Sequence, residues 1–141
     1  MFDGPLVVLV RKNRPVWQAG KLNGIGGHIE FGETPEQAMQ REFFEETGHL
    51  TTDREWHKFA ELLDPSDTWI VHFFVTKGDT SHLFTTTDED IVVVDSRDVT
   101  AENAISNLTW LLPMARQFLA DGKHVYGILE NSFLPMEVVH Q

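Results

Sequence analysis

A mixed α/β fold, in the broad sense that includes α+β, is predicted by three observations. Short apolar runs rich in Val, Ile and Phe recur along the chain, two stretches carry apolar residues at helical spacing between capping signals, and these segment types alternate. No internal repeat, low-complexity tract or linker interrupts them. The chain has 141 residues, an ordinary size for one domain, so 1–141 is read as a single unit.

The elements follow in order. Leu6 to Val10 is an unbroken apolar, β-branched run and predicts a buried strand. Arg11 to Lys21 is polar, contains Pro15 and Gly20, and predicts a hairpin or loop. Asn23 to Gly27 is glycine-rich, and His28-Ile29-Glu30-Phe31 alternates as a short strand would. Thr34 to Thr47 is the clearest helix: Thr34 suits the N-cap, Pro35 the first helical position, Gln37 a capping box and Gly48 the stop. His57 to Leu63 and Trp69 to Thr76 predict two strands around an Asp64-Pro65-Ser66-Asp67 turn, and Ile91 to Val94 another buried strand.

In the second half, Leu108, Leu111, Leu112, Ala115, Phe118 and Leu119 form one apolar helical face within Asn107 to Ala120. Pro113 must lie in the first turn of that helix or bend it, and Gly122 closes it. Tyr126 to Leu129 adds a final strand; the last dozen residues carry no clear pattern.

Composition narrows the function. Hydrophobic residues are 41% of the chain, with ten Phe and four Trp, which is enough for a core. The absence of cysteine excludes disulfides, thiolate zinc sites and Cys nucleophiles. The formal charge of −11, from 22 acidic and 11 basic residues, repels a phosphate backbone and argues against a nucleic-acid polymer as ligand. A small phosphorylated molecule that arrives with metal ions stays compatible. Neither a membrane span of about 20 apolar residues nor a basic, apolar leader is found, so the expected location is the cytoplasm.

The chemistry gathers on the first helix. Glu42, Glu45 and Glu46 are spaced i, i+3, i+4 and share a face, where like charges destabilise a bare helix by about 0.2–0.5 kcal/mol per pair. Glu45 and Glu46 also lie near the negative end of the helix dipole. A bound cation removes both penalties, and carboxylate oxygens suit the hard ions Mg²⁺ and Mn²⁺. Arg41 can grip a carboxylate with two hydrogen bonds, and Glu33 is a suitable acceptor. Gly26 and Gly27 let backbone approach a metal or phosphate closely.

Read together, Gly27, five residues, Glu33, seven residues, Arg41-Glu42-Phe43, one residue, Glu45-Glu46, one residue, Gly48 resembles the Nudix box. At roughly 7% usage per residue type, a chance match at one starting point is on the order of 10⁻⁸. The final apolar position of the box falls on His49, leaving Leu50 to take that role. The resemblance implies an α/β/α sandwich around a mixed central sheet. It implies a metal-dependent hydrolase, using Mg²⁺ or Mn²⁺, that cleaves a diphosphate bond in a small nucleotide-like substrate, with a homodimer as one form of the family.

Position by position, the resemblance makes Glu45 and Glu46 metal ligands, Glu42 a ligand or the base, and the Gly27 carbonyl a metal contact. It makes Arg41 the clamp on Glu42, supported by Glu33. A further ligand from outside the box is assigned to Glu89, with Asp88 and Asp90 as alternatives.

Leu22 to Gly27 is similar to the stretch preceding the box in enzymes that remove pyrophosphate from oxidised purine nucleoside triphosphates. That likeness implies Asn23 as a base contact and puts Asn107 near where such enzymes carry a base-reading carboxylate; Gly26 is a further substrate residue by its backbone, and Trp17, Trp69 and Phe74 are candidates for stacking on a base. The leading expectation is a nucleoside triphosphate pyrophosphohydrolase. Hydrolysis of ADP-ribose (Pro65 lies where such enzymes carry a marker proline), a nucleotide sugar or a dinucleotide is the alternative, and a non-catalytic nucleotide sensor the other class. His28, His57, His72 and His82 show no metal-binding spacing, and His72 reads as a core or cleft residue within a strand.

Overall fold

A computed structural model describes residues 1–66 and 68–130. Asp67 of the expected turn and the C-terminal residues 131–141 lie outside the described residues. Seven strands and two α-helices appear within them: β1 (Phe2–Asp3), β2 (Leu6–Arg11), β3 (Leu22–Asn23), α1 (Pro35–Thr47), β4 (His57–Leu63), β5 (Ile70–Val75), β6 (Ile91–Asp95), α2 (Leu108–Asp121) and β7 (Tyr126–Leu129).

The unbroken apolar run of β2 is explained by its position. β2 pairs antiparallel with β1, β3 and β6, so both its edges are occupied. Both its faces are covered as well. Val7 and Leu9 point into one apolar cluster with α2, through Leu108, Leu111, Leu112 and Ala115. Val8 points into a second cluster with Phe43 of α1 and Trp56. A strand buried on both faces has no use for polar alternation.

The second sheet has the order β5-β4-β7, with β4 and β5 antiparallel and β4 and β7 parallel. Its strands divide their side chains in the same way: Phe73 packs toward the α2 cluster and Phe74 toward the α1 cluster. The two sheets are tied where Phe2 donates its N–H to the Thr76 carbonyl at 2.9 Å and accepts from the Gly78 N–H at 3.0 Å. Helices thus lie on opposite sides of the strands, the layered arrangement expected.

α1 starts and stops where local chemistry dictates. The Thr34 hydroxyl accepts from the Gln37 N–H, and the Gln37 side chain accepts from the Thr34 N–H. Gly48 ends the helix at φ +72°. A Cβ there would sit 2.3 Å from Cζ of Phe84, so the stop also serves as the seat of an aromatic ring.

Two sequence expectations are corrected and a third is narrowed. His28 to Phe31 is not a strand. Its backbone is satisfied by side chains of the box: Glu30 N–H donates to Glu33 Oε1 and the His28 carbonyl accepts from Arg41. Ile29 and Phe31 accordingly face solvent. Leu50 does not take the apolar place after Gly48, being 72% exposed; the His49 ring instead meets the edge of Phe43, with centroids 6.2 Å apart. Of the two places expected for Pro113, the first turn is excluded, because α2 starts only at Leu108 and the proline lies inside the helix. The N–H it lacks would have served the carbonyl of Thr109, an exposed residue.

Candidate active site

The face of α1 places the glutamates unequally. Glu46 lies seven residues beyond Met39 and three beyond Phe43, both of which pack in the second apolar cluster, so its carboxylate shares their stripe and is drawn inward. Burial pushes the Glu46 carboxyl up to about 7, and the charges of Glu42, Glu89 and Glu45 add to that, against the opposing pull of Lys12. Its Oε2 is buried with no hydrogen-bond partner among the described residues. The side chain of Glu45, by contrast, is 53% exposed.

Arg41 organises the remainder. Its Nε donates to Glu33 Oε2 at 2.8 Å and its Nη2 to Glu33 Oε1 at 2.9 Å, a two-pronged pair. Nη1 donates to Glu42 Oε1 at 2.8 Å and to Glu45 Oε2 at 3.3 Å, and Nη2 also to the His28 carbonyl at 2.9 Å. The Arg41 hydrogen bond and the Glu30 N–H hold the Glu33 carboxyl below the usual range. One guanidinium therefore joins the loop before the helix to two of its acidic side chains.

Gly27 lies directly against this group. A Cβ built on it would be 2.3 Å from Glu42 Oε1 and 2.7 Å from Oε2, so any side chain there would displace the Glu42 carboxylate. Nothing lies within 4 Å of such an atom on Gly26, so crowding gives no reason for that glycine.

Glu89 reaches the same region from the segment before β6. Lys12 Nζ donates to its Oε1 at 2.9 Å and the Asn13 N–H to its Oε2 at 2.6 Å. Burial opposes ionisation of Glu89, but those donors outweigh it and hold its carboxyl below the usual range. Asp88 turns instead to Arg14 in an exposed pair. Lys12 and Asn13 were not singled out in the sequence; they lie 77 and 76 positions from Glu89, and no local pattern marks such a pairing.

Among the described residues, no three acidic or histidine side chains converge as a ready-made metal cage. The donor set nevertheless fits a hard divalent cation on two structural counts. Glu46 buries a carboxylate oxygen that lacks any partner, and the Gly27 backbone is seated against Glu42. Arg41 presently holds one oxygen each of Glu42 and Glu45, leaving the other of each available.

Beside this row lies a cavity of about 120 Å³ with largely apolar walls, which include Asn23, Ile25, Met39, Phe43, His72 and Phe74. Asn23 is partly engaged, donating to Gln18 Oε1 at 3.0 Å and accepting from the Gly24 N–H. Trp17 is 67% exposed on a short 3₁₀ turn and does not line the cavity. Asn107 also lies off the cavity wall; it precedes α2 in helical conformation, makes no capping bond, and buries Oδ1 without a partner. Pro65 sits in the turn after β4, where Asp64 accepts from Ser66 and Thr68, and needs no further role.

The layered frame of two helices around the strands thus carries an arginine-anchored row of glutamates on α1. The chain belongs to the Nudix family: the NUDIX domain matches residues 1–121. It is similar to a zebrafish (Danio rerio) oxidized purine nucleoside triphosphate hydrolase, 41% identical over 71 residues. That match spans 48% of this chain and 44% of the relative's length. In fold it is similar to a NUDIX hydrolase from Nitrosomonas europaea, with TM-score 0.71 at 17% identity over 89% of this chain and 73% of that one. A MutT structure from work on Aliivibrio salmonicida and Vibrio cholerae shares the fold at TM-score 0.60 and 24% identity, over 82% of this chain and 86% of that one. No helix of the described residues is long and apolar enough to cross a membrane.

Proposed function

We propose that this Nudix hydrolase is a nucleoside triphosphate pyrophosphohydrolase, which adds water to a nucleoside or deoxynucleoside triphosphate and releases the monophosphate and diphosphate. The observation that carries this is the adjacency of two unlike surfaces. The glutamate row ends against Gly27, and four residues earlier Asn23 forms part of the wall of a largely apolar cavity, the surface on which a base would be seated. The zebrafish relative's named substrates are oxidised purine nucleoside triphosphates, which supports a purine in that cavity.

Glu42, Glu45, Glu46, Glu89 and the Gly27 carbonyl would hold Mg²⁺, with Mn²⁺ as a substitute. When bound, the cation neutralises charge on the diphosphate oxygens and makes the attacking water more acidic. Arg41, held by Glu33, fixes one oxygen of Glu42 and leaves the other for the cation or for the proton of the water. Asn23 contacts the base through its amide, and Glu89 is kept ionised by Lys12 and Asn13.

The test is a screen of triphosphates, oxidised purine triphosphates, ADP-ribose, nucleotide sugars and dinucleotides with Mg²⁺, reading diphosphate and monophosphate release. Diphosphate from one or more triphosphates is expected. Release of monophosphate from the other classes alone, or tight nucleotide binding without turnover, would overturn the proposal.

A further inference from the structure

His72 occupies a position that the proposed reaction does not use. It lies in the middle of β5, its side chain 15% exposed and its ring tilted against Phe74 with centroids 6.5 Å apart. Nδ1 is sealed from solvent and has no hydrogen-bond partner among the described residues. Its cross-strand neighbour in the β4–β5 ladder is Glu61, whose Oε1 lies 3.7 Å from Nδ1. That is too long for a hydrogen bond but near enough for the carboxylate to favour a proton on Nδ1. Lys58 donates to the same Glu61 and holds its carboxyl below the usual range, so the charge behind the imidazole is maintained.

A neutral imidazole has one donor and one acceptor nitrogen. With the proton at Nδ1, Nε2 is left as the acceptor, and the ring is part of the cavity wall. The other walls are almost wholly apolar: Trp56 has its indole N–H engaged by Thr51, which leaves Asn23 and His72, among the described residues, as the polar side chains able to address a ligand. Two such groups in an apolar slot are an arrangement for choosing among flat heterocycles, because a ligand without the matching donor leaves a buried acceptor unsatisfied.

We propose that His72 is a specificity-determining residue, its Nε2 accepting an N–H from the heterocycle of the substrate, with Glu61 as the positioning residue that sets the tautomer. This deepens the nucleotide reading given above and rests on it.

Histidine-ring ¹⁵N–¹H spectra of the whole chain, titrated with guanosine and adenosine 5′-monophosphates, test it. They are paired with steady-state kinetics of wild type, H72F, H72Q and E61Q over a panel of triphosphates with Mg²⁺. The free protein is expected to show the Nδ1–H tautomer, and the His72 Nε2 resonance to move on titration. H72F is expected to raise KM for the preferred triphosphate about tenfold or more, with kcat within about twofold, and to flatten the preference among bases. H72Q, which returns an acceptor near the Nε2 position, recovers most of the loss, and E61Q weakens the preference without removing it.

A His72 ring unmoved by both monophosphates, or an H72F variant with the wild-type ranking of bases, overturns the assignment. If H72F does not fold, the wild-type ring titration decides. Wild type that releases diphosphate from no triphosphate ends the proposed activity, and the ring titration still judges His72. An active wild type whose H72F variant keeps its base ranking ends the His72 assignment alone.

Discussion

Glu46 combines two properties that a solvated carboxylate lacks: a carboxyl pushed up to about 7 and a buried oxygen with no hydrogen-bond partner among the described residues. Its ionised form is more costly in the fold than in the unfolded chain, where the ordinary value is 4.5. The metal-free fold therefore has this group's full contribution below about pH 4.5 and loses it as pH rises through about 7. Thermal melts without metal should show wild type losing stability relative to E46Q between those values, and Mg²⁺ should restore more stability at about pH 8 than at about pH 5. Equal pH profiles for the two proteins would contradict this account. E46Q should also bind Mg²⁺ more weakly by calorimetry. Arg41 and Glu33 act through their neighbours, so R41A or E33Q should lower kcat/KM by roughly 10–100-fold while the fold survives. A methyl on Gly27 would force the Glu42 carboxylate away from Arg41; G27A should lose activity with little change in melting temperature. These residues were legible beforehand because the box spacing places them together on one turn and its preceding loop. The inequality among the glutamates was not, since it depends on which stripe of α1 meets Trp56 and Phe74.

The energetics of α1 are set at its ends. Removing the Thr34 hydroxyl frees the Gln37 N–H, and T34A should cost about 1 kcal/mol in urea denaturation. At Gly48 a side chain must adopt φ +72° and displace the Phe84 ring, so G48A should cost about 1–3 kcal/mol, more than T34A. A reversed order would show that the aromatic seat matters less than the cap. Caps are local chemistry, and both ends of α1 can accordingly be read from the chain. The His28–Phe31 stretch shows the opposite case. Its alternation suits a strand, but no strand among the described residues pairs with it and Arg41 takes the carbonyl that a ladder would have used. A period of two states what a segment can do, and the partner decides whether it does.

In the whole molecule, the two sheets meet at Phe2, which is buried in the larger cluster and hydrogen-bonded to the segment after β5. F2A should cost roughly 3–5 kcal/mol by cavity formation and loosen the joint between sheets, visible as faster hydrogen exchange at Phe2 and Gly78. An exchange pattern unchanged there would mean that the sheets are held together elsewhere. Net charge acts at this scale too. With −11 on the chain, a polyphosphate is repelled until divalent ions accompany it. Nucleotide binding without Mg²⁺ should thus strengthen as monovalent salt rises and screens the repulsion, the reverse of a basic groove.

By itself, the amino-acid sequence determined the helices, both caps of α1 and the glycine stop of α2, most strands, the acidic row and its arginine, because these depend on neighbours within a few residues along the chain. Tertiary structure alone decided the division into two sheets, the burial of Glu46, the tethering of Glu89 by Lys12 and Asn13, and the seat of His72 before Glu61. Each of those rests on groups brought together by packing from separate elements, and composition and periodicity carry no trace of which distant side chain will arrive.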